Sequence, residues 1–172
     1  DDFHYGPLMP GDSELHLLPP NLAGLRCLEL GGGAAQNSIY LARQGAACVS
    51  IDISHKQSVA GRALADRYAC EVALIQGDVA LLPLSSSLYR TFDLVHTSGG
   101  ICFADEPAQA VRAAAACLKP GGQFILSTVH PLFAAEWLET DEDERGLFVE
   151  DYFHPPQDYG VTQDGRGDTA CR

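Results

Sequence analysis

Apolar residues along the chain gather in short blocks that switch between two periods. "RCLEL" (26–30), "ACVSID" (47–52), "EVALIQGD" (71–78), "FDLVHTS" (92–98) and "QFILSTVH" (123–130) are apolar runs of strand length. Helical spacing fills the gaps between them. "AQNSIYLARQG" (35–45) sets Ile39, Leu41 and Ala42 on one side and stops at Gly45. Ser54 caps a helix running to about Ala69, and "EPAQAVRAAAACLKPGG" (106–122) reads as a helix starting beside Pro107 and ended by Lys119, Pro120 and two glycines. Strands alternating with helices predict an α/β fold, a doubly wound and mostly parallel sheet covered on both faces. Ligands of such sheets lie beyond the C-terminal strand ends. Four landmarks fall there: Gly31–Gly33, Asp52, Asp78 and the segment from His96 to Gly100.

The periodic part occupies residues 25–130 and is expected to be the core. Residues 1–24, rich in Pro and Gly, form an expected N-terminal cap with one short helix near Ser13 to Leu18. From Pro131 to residue 172 the pattern fails, and Trp137, Phe148, Tyr152, Phe153 and Tyr159 stand among charges and turn residues. More than 40 residues without pattern is long for a compact domain. The tail is expected to be a lid or an incomplete C-terminal part.

Charge narrows the function. The net charge is −12, and from Pro131 onward 11 acids face 3 bases, a net of −8. Without clustered Lys and Arg, nucleic acid is not an expected partner. No apolar run approaches a membrane span, so a membrane is not expected either. The six cysteines form no C-x-x-C pair, and five sit in or beside apolar runs. That pattern points to free thiols in a reducing, cytoplasmic interior. Histidines and acids are too irregularly spaced for a metal site.

In "LELGGGAAQNS" the glycines let backbone approach a ligand and leave N–H groups free at a helix start. Asp52, about 20 residues on, is placed for ribose hydroxyls. A dinucleotide fingerprint would put a small residue where Gln36 stands, and no G-K-[ST] follows for a P-loop. An adenosine ligand without pyrophosphate is the alternative.

At this point the ordered set "LELGGG…IDIS…GDVALLPL…FDLVHTSG…LKPGGQFILST" (within 26–130) resembles the class I S-adenosylmethionine-dependent methyltransferases, especially their small-molecule branch. The resemblance implies a Rossmann-like fold completed to seven strands by a C-terminal antiparallel pair, which the pattern does not place within 131–172. A truncated chain or omitted residues would explain that. It further implies S-adenosylmethionine as cofactor and S-adenosylhomocysteine as product. On that likeness Glu29 lies near the methionine end, Gly31, Gly32 and Gly33 line the backbone contact, Asp52 holds the ribose and Ile53 packs on the adenine. Asp78 faces the adenine amino group, Val79 offers a backbone contact, His96 borders the methionine and the methyl, and Tyr5 closes near the carboxylate end. The family's third motif glycine is Ala35 here, which is workable if its φ stays negative.

The expected reaction moves the methyl group to an oxygen or nitrogen of a small-molecule substrate. Such a transfer needs an in-line nucleophile, a dry site and, for a protonated nucleophile, a base. His130, ending the fifth strand, and His96 are the catalytic candidates. The expected partners are a small-molecule substrate and, in a homodimer, a second copy. Protein or RNA methylation, NAD-dependent oxidation and non-catalytic cofactor binding stay open as alternatives. Gln36 and the lack of a Tyr-x-x-x-Lys pair weigh against NAD, and "HTSG" stands where planar-nitrogen methyltransferases carry an Asn-Pro-Pro-Tyr-type tetrapeptide.

Overall fold

A computed structural model describes residues 2–7, 9–82, 87–128, 130, 136–139 and 145–148. Chain contacts divide it into two units, 1–128 and 129–172. The first holds helix α1 (Asp12–Leu15), β1 (Arg26–Leu30), α2 (Gln36–Arg43), β2 (Ala47–Asp52), α3 (His55–Arg67), β3 (Val72–Gln76), β4 (Phe92–Ser98), α4 (Pro107–Cys117) and β5 (Leu118–Ser127). Short 3-10 turns at Val79–Leu81 and Gly100–Phe103 follow β3 and β4. All described pairings of the sheet are parallel, in the order β3-β2-β1-β4-β5. The order reverses between β1 and β4, so a crevice opens at their C-terminal ends.

Strand alternation sorts the residues between two cores. On one face Cys27, Cys48, Val72, Leu94 and Ile125 pack with Ile39, Leu41, Ala65, Phe3 and Tyr5, from α2, α3 and the N-terminal segment. On the other, Leu28, Leu30, Ile51 and Val95 pack with Ala110, Ala113, Ala114 and Cys117 of α4. The first face turns polar toward the strand ends, where Glu29, Ser50 and His96 are all buried. The five described cysteines are free. No helix among the described residues is long and apolar enough to cross a membrane.

Three element boundaries differ from expectation. Helix α4 stops at Cys117, and the Lys119–Gly122 stretch lies inside a strand. Leu118 pairs with Phe92, and the register then jumps to Gln123 opposite Leu94, so Lys119–Gly122 bulge out opposite Asp93. Pro120 lacks a ladder donor, Gly121 turns at φ +81, and Lys119 Nζ reaches Asp93 at 2.7 Å. Helix α1 is a single turn that ends at His16, in left-handed conformation, because the Asp12 carboxylate takes the N–H groups of Leu17 and Leu18. Within the second unit, β6 (Glu136–Glu139) and β7 (Arg145–Phe148) form an antiparallel hairpin where the sequence showed no pattern. Four residues per strand are too few for alternation to stand out.

The N-terminal segment lies within the first unit and is tied to its strand ends. The Asn37 side chain accepts from the His4 N–H at 3.0 Å and donates to the His4 carbonyl at 2.8 Å. Ser98, ending β4, also donates to that carbonyl, and Ser127, ending β5, donates to the Tyr5 carbonyl. Phe3, fully buried, drops its ring edge-on against His96 with centroids 5.1 Å apart.

Candidate cofactor site

The loop from β1 to α2 meets the start of the turn after β4 backbone to backbone. A Cβ on Gly31 would lie 2.7 Å from the Gly100 Cα, and one on Gly100 would lie 2.6 Å from the Gly31 carbonyl oxygen. Gly32 is excluded from bearing a side chain for another reason. Its Cβ would strike the Ser50 hydroxyl and stand 2.7 Å from the Glu29 carboxylate. Gly32 therefore matters sterically as much as its neighbours. Gly33 adopts φ +54 with room around it. Ala35 corrects an expectation: its φ is +55, not negative, and its methyl is fully buried. An L-residue in that region is strained by about 1–2 kcal/mol, here set against a buried methyl.

Glu29, 4% exposed, sits beneath this loop. Its Oε2 accepts from the Ser38 hydroxyl at 2.6 Å, the Ser38 N–H at 3.3 Å and the Ser50 hydroxyl at 3.1 Å. Burial pushes its carboxyl up to about 7, against the pull of these hydrogen bonds. Asp52 ends β2 and braces two elements. Oδ2 accepts from the Gly33 N–H and Oδ1 from the Ser54 N–H, both at 2.8 Å. Ser54 in turn caps α3 through the Gln57 N–H. The bracing leaves each carboxylate oxygen further lone pairs. The Ile53 side chain beside it is exposed. Asp78, just past β3, folds Oδ1 onto the Ala80 N–H at 2.8 Å and starts the 3-10 turn that begins with buried Val79.

Two of the expected residues lie deeper than the strand edge suggested. His96 is fully buried within β4, in register with Glu29, and neither ring nitrogen has a hydrogen-bond partner among the described residues. Burial, with the charge of His4 a lesser cause, holds its imidazole down to about 3, so the ring is neutral. Tyr5 is buried and donates its hydroxyl to Asp12. Burial and that carboxylate both raise the phenol's pKa. His130 is exposed, in the second unit. Sequence reading passed over Ser38, Ser50 and Asn37; Gly100 closed the landmark segment that starts at His96. The signal for Ser50 was its place among apolar residues in β2, on the same face as Cys48.

The donor set suits an adenosine-type group. Two carboxylates stand at the ends of adjacent strands for hydroxyl and amine donors, an apolar side chain is exposed next to one of them, and the loop has room at Gly33. Fold and site together define a Rossmann-like α/β protein of the methyltransferase type. The family model described as "Methyltransferase domain" matches residues 28–126, and the chain belongs to that family. Among curated relatives, a ubiquinone biosynthesis O-methyltransferase of Ralstonia nicotianae is 34% identical over 111 residues, 63% of this chain and 45% of the relative. A demethylmenaquinone methyltransferase of Mycobacterium marinum is 32% identical over 120 residues, 67% of this chain and 48% of the relative. The chain thus spans about half the length of these two relatives. An S-adenosylmethionine-dependent methyltransferase structure from Mesorhizobium loti superposes with a TM-score of 0.66 at 26% identity, covering 82% of this chain and 64% of that one.

Proposed function

We propose that the protein binds S-adenosylmethionine and transfers its methyl group to an oxygen or nitrogen of a small molecule, releasing S-adenosylhomocysteine. The observation that carries this reading is the pair Asp52 and Asp78 at the ends of neighbouring strands, beside a glycine loop in which Gly33 has room around it. In this reading Asp52 takes the ribose hydroxyls, Ile53 and Val79 border the adenine, and Asp78 takes its amino group. Gly31, Gly32 and Gly33 line the amino-acid end, with Glu29 beneath them. The names of the curated relatives support an aromatic or quinone-type substrate.

The bound cofactor supplies an electrophilic methyl, and the protein's part is to orient both partners, exclude water and hold the leaving proton. His130 is assigned as general base over His96, because full burial lowers the His96 imidazole to about 3 and makes it too weak a base to take a proton from substrate. Tyr5 and His96 serve by supporting the N-terminal segment and the sheet edge. The acidic composition supports an enzyme without a nucleic-acid partner, the cysteine pattern supports a cytoplasmic one, and solution light scattering tests for a homodimer.

Calorimetry with S-adenosylmethionine, S-adenosylhomocysteine and NAD tests the cofactor assignment. Saturable binding of the first two and none of NAD is expected; NAD binding alone overturns it. A panel of catechol, hydroquinone and amine acceptors then tests transfer. Unchanged turnover of the accepted substrate in His130→Gln removes that residue from the chemistry.

A further inference from the structure

Away from the cofactor site, at the opposite end of the sheet, three cysteines share one core. Cys27 and Cys48 are register partners on the adjacent parallel strands β1 and β2, and both enter the core beside Ile39 and Leu41. Neighbouring strands lie about 4.8 Å apart, which falls within the roughly 4.4–6.8 Å between Cα atoms that a disulfide spans. The Cys48 thiol interacts with that of Cys27 and, more weakly, with that of Cys70. Cys27 first, and burial second, push the Cys48 thiol well above its ordinary range, so it stays protonated and inert toward an oxidant by itself. Access comes through Cys70. Helix α3 ends in a left-handed turn at Ala69, φ +50, which sends the Cys70 N–H back to the Ala65 carbonyl. Cys70 is partly buried, packed on one side against the core that holds the other two thiols. On the other side it lines a cavity of about 490 Å³ between the ends of α2 and α3. Arg43 and Glu71 bring opposite charges to that cavity, which suits it to water and small polar solutes. Enclosure then increases inward, from Cys70 to Cys48 at 6% exposed and Cys27 at 1%. Cys102, beside Thr128, and Cys117, in the other core, stand apart from this group.

We propose that Cys70, Cys48 and Cys27 form an oxidant-modification site: a peroxide entering the cavity oxidises Cys70, and the oxidation passes inward to a Cys27–Cys48 disulfide that joins β1 to β2. In the first step the Cys70 sulfur attacks the peroxide. An S–O bond forms, the O–O bond breaks, and the thiol proton leaves with the departing oxygen as water or an alcohol. Cys70 becomes a sulfenic acid and the peroxide is reduced. The Cys48 sulfur then displaces the hydroxyl, which takes the Cys48 proton and leaves as water, and a Cys48–Cys70 disulfide forms. The Cys27 sulfur attacks Cys48, its proton passes to Cys70, and Cys70 returns to a thiol. Proximity stands in for acidity in the two inner steps. In sum two thiols supply two electrons to one peroxide. A transient disulfide of this kind is compatible with a reducing interior. The site is independent of the cofactor assignment.

The test treats the full chain with a small excess of hydrogen peroxide, blocks the remaining thiols and maps the peptides by mass spectrometry. Cys171→Ser is carried throughout, so that this cysteine supplies no competing thiol. A Cys27–Cys48 disulfide with Cys70 free, reversed by dithiothreitol, is expected. Cys48→Ala is expected to stop at a Cys70 sulfenic acid that dimedone traps. Cys70→Ser is expected to slow the loss of the Cys27 and Cys48 thiols at least about tenfold. Thiols left intact by peroxide, a first oxidation at Cys102 or Cys117, or a map that ends at Cys48–Cys70 each overturns the proposal. So does a Cys27–Cys48 bond that forms as fast without Cys70. Should Cys48→Ala not fold, the peptide map and Cys70→Ser decide.

Discussion

Gly32 shows how a single hydrogen in place of a methyl group sets a loop's geometry. Gly32→Ala would push Cβ into Ser50 and the Glu29 carboxylate. The expected result is a stability loss of about 1–3 kcal/mol and loss of measurable cofactor binding, read by thermal unfolding and calorimetry. Ala35 is balanced differently. Ala35→Gly relieves a left-handed L-residue but removes a buried methyl and loosens the unfolded chain, so stability is expected to change by less than about 1 kcal/mol. Ala35→Val, with branching at Cβ, is expected to lose more than about 2 kcal/mol, and denaturant titration of both variants distinguishes the cases. Asp52→Ala removes the acceptor for Gly33 and Ser54 together and is expected to weaken the cofactor at least about tenfold by calorimetry. Residue types at the strand ends were legible because position and chemistry coincide there. The sign of φ at Ala35 was not, since no side-chain type encodes it.

At the level of elements, periodicity carried far where runs were long. β1, β2 and β4 coincide with their apolar blocks, because one buried strand must bury most of its side chains. Their ends were harder. "LKPGG" is a familiar helix stop, yet here the helix has already ended and the same residues bulge from β5. Composition alone cannot separate a stop from a bulge; the pairing of Leu118 with Phe92 does. The N-terminal segment shows a link that sequence hides, since His4 and Asn37 meet across 33 residues. Asn37→Ala would leave the His4 amide and carbonyl without that partner. A cost of about 1–3 kcal/mol is expected. Hydrogen exchange should rise at residues 3–6 while the amides of β1 keep their protection; equal loosening of both would assign Asn37 to the core instead.

For the molecule as a whole, pH acts through two buried groups that pull in opposite directions. The Glu29 carboxyl is raised from 4.5 to about 7, so the folded state holds a proton that the unfolded state lacks, and stability falls as pH rises through that window. The His96 imidazole is lowered from 6.5 to about 3, so the unfolded state binds the extra proton, and stability falls as pH drops below 6.5. Near pH 5.5 the two slopes oppose each other. Urea denaturation at several pH values is expected to show little net effect from this pair in wild type. In Glu29→Gln stability should fall on acidification by up to about 1.4 kcal/mol per pH unit, and in His96→Leu it should rise by a similar slope.

The register of β1 with β4, which seats Glu29 opposite His96, therefore has a consequence for the act of folding. In mildly acidic solution the unfolded chain carries one proton on an imidazole, and the folded chain carries one on a carboxyl. Folding relocates that proton by one strand spacing in the finished sheet while leaving the total count almost unchanged. The heat of unfolding attributable to this pair should then be indifferent to the choice of buffer, and removing either residue should make it buffer-dependent, with opposite signs.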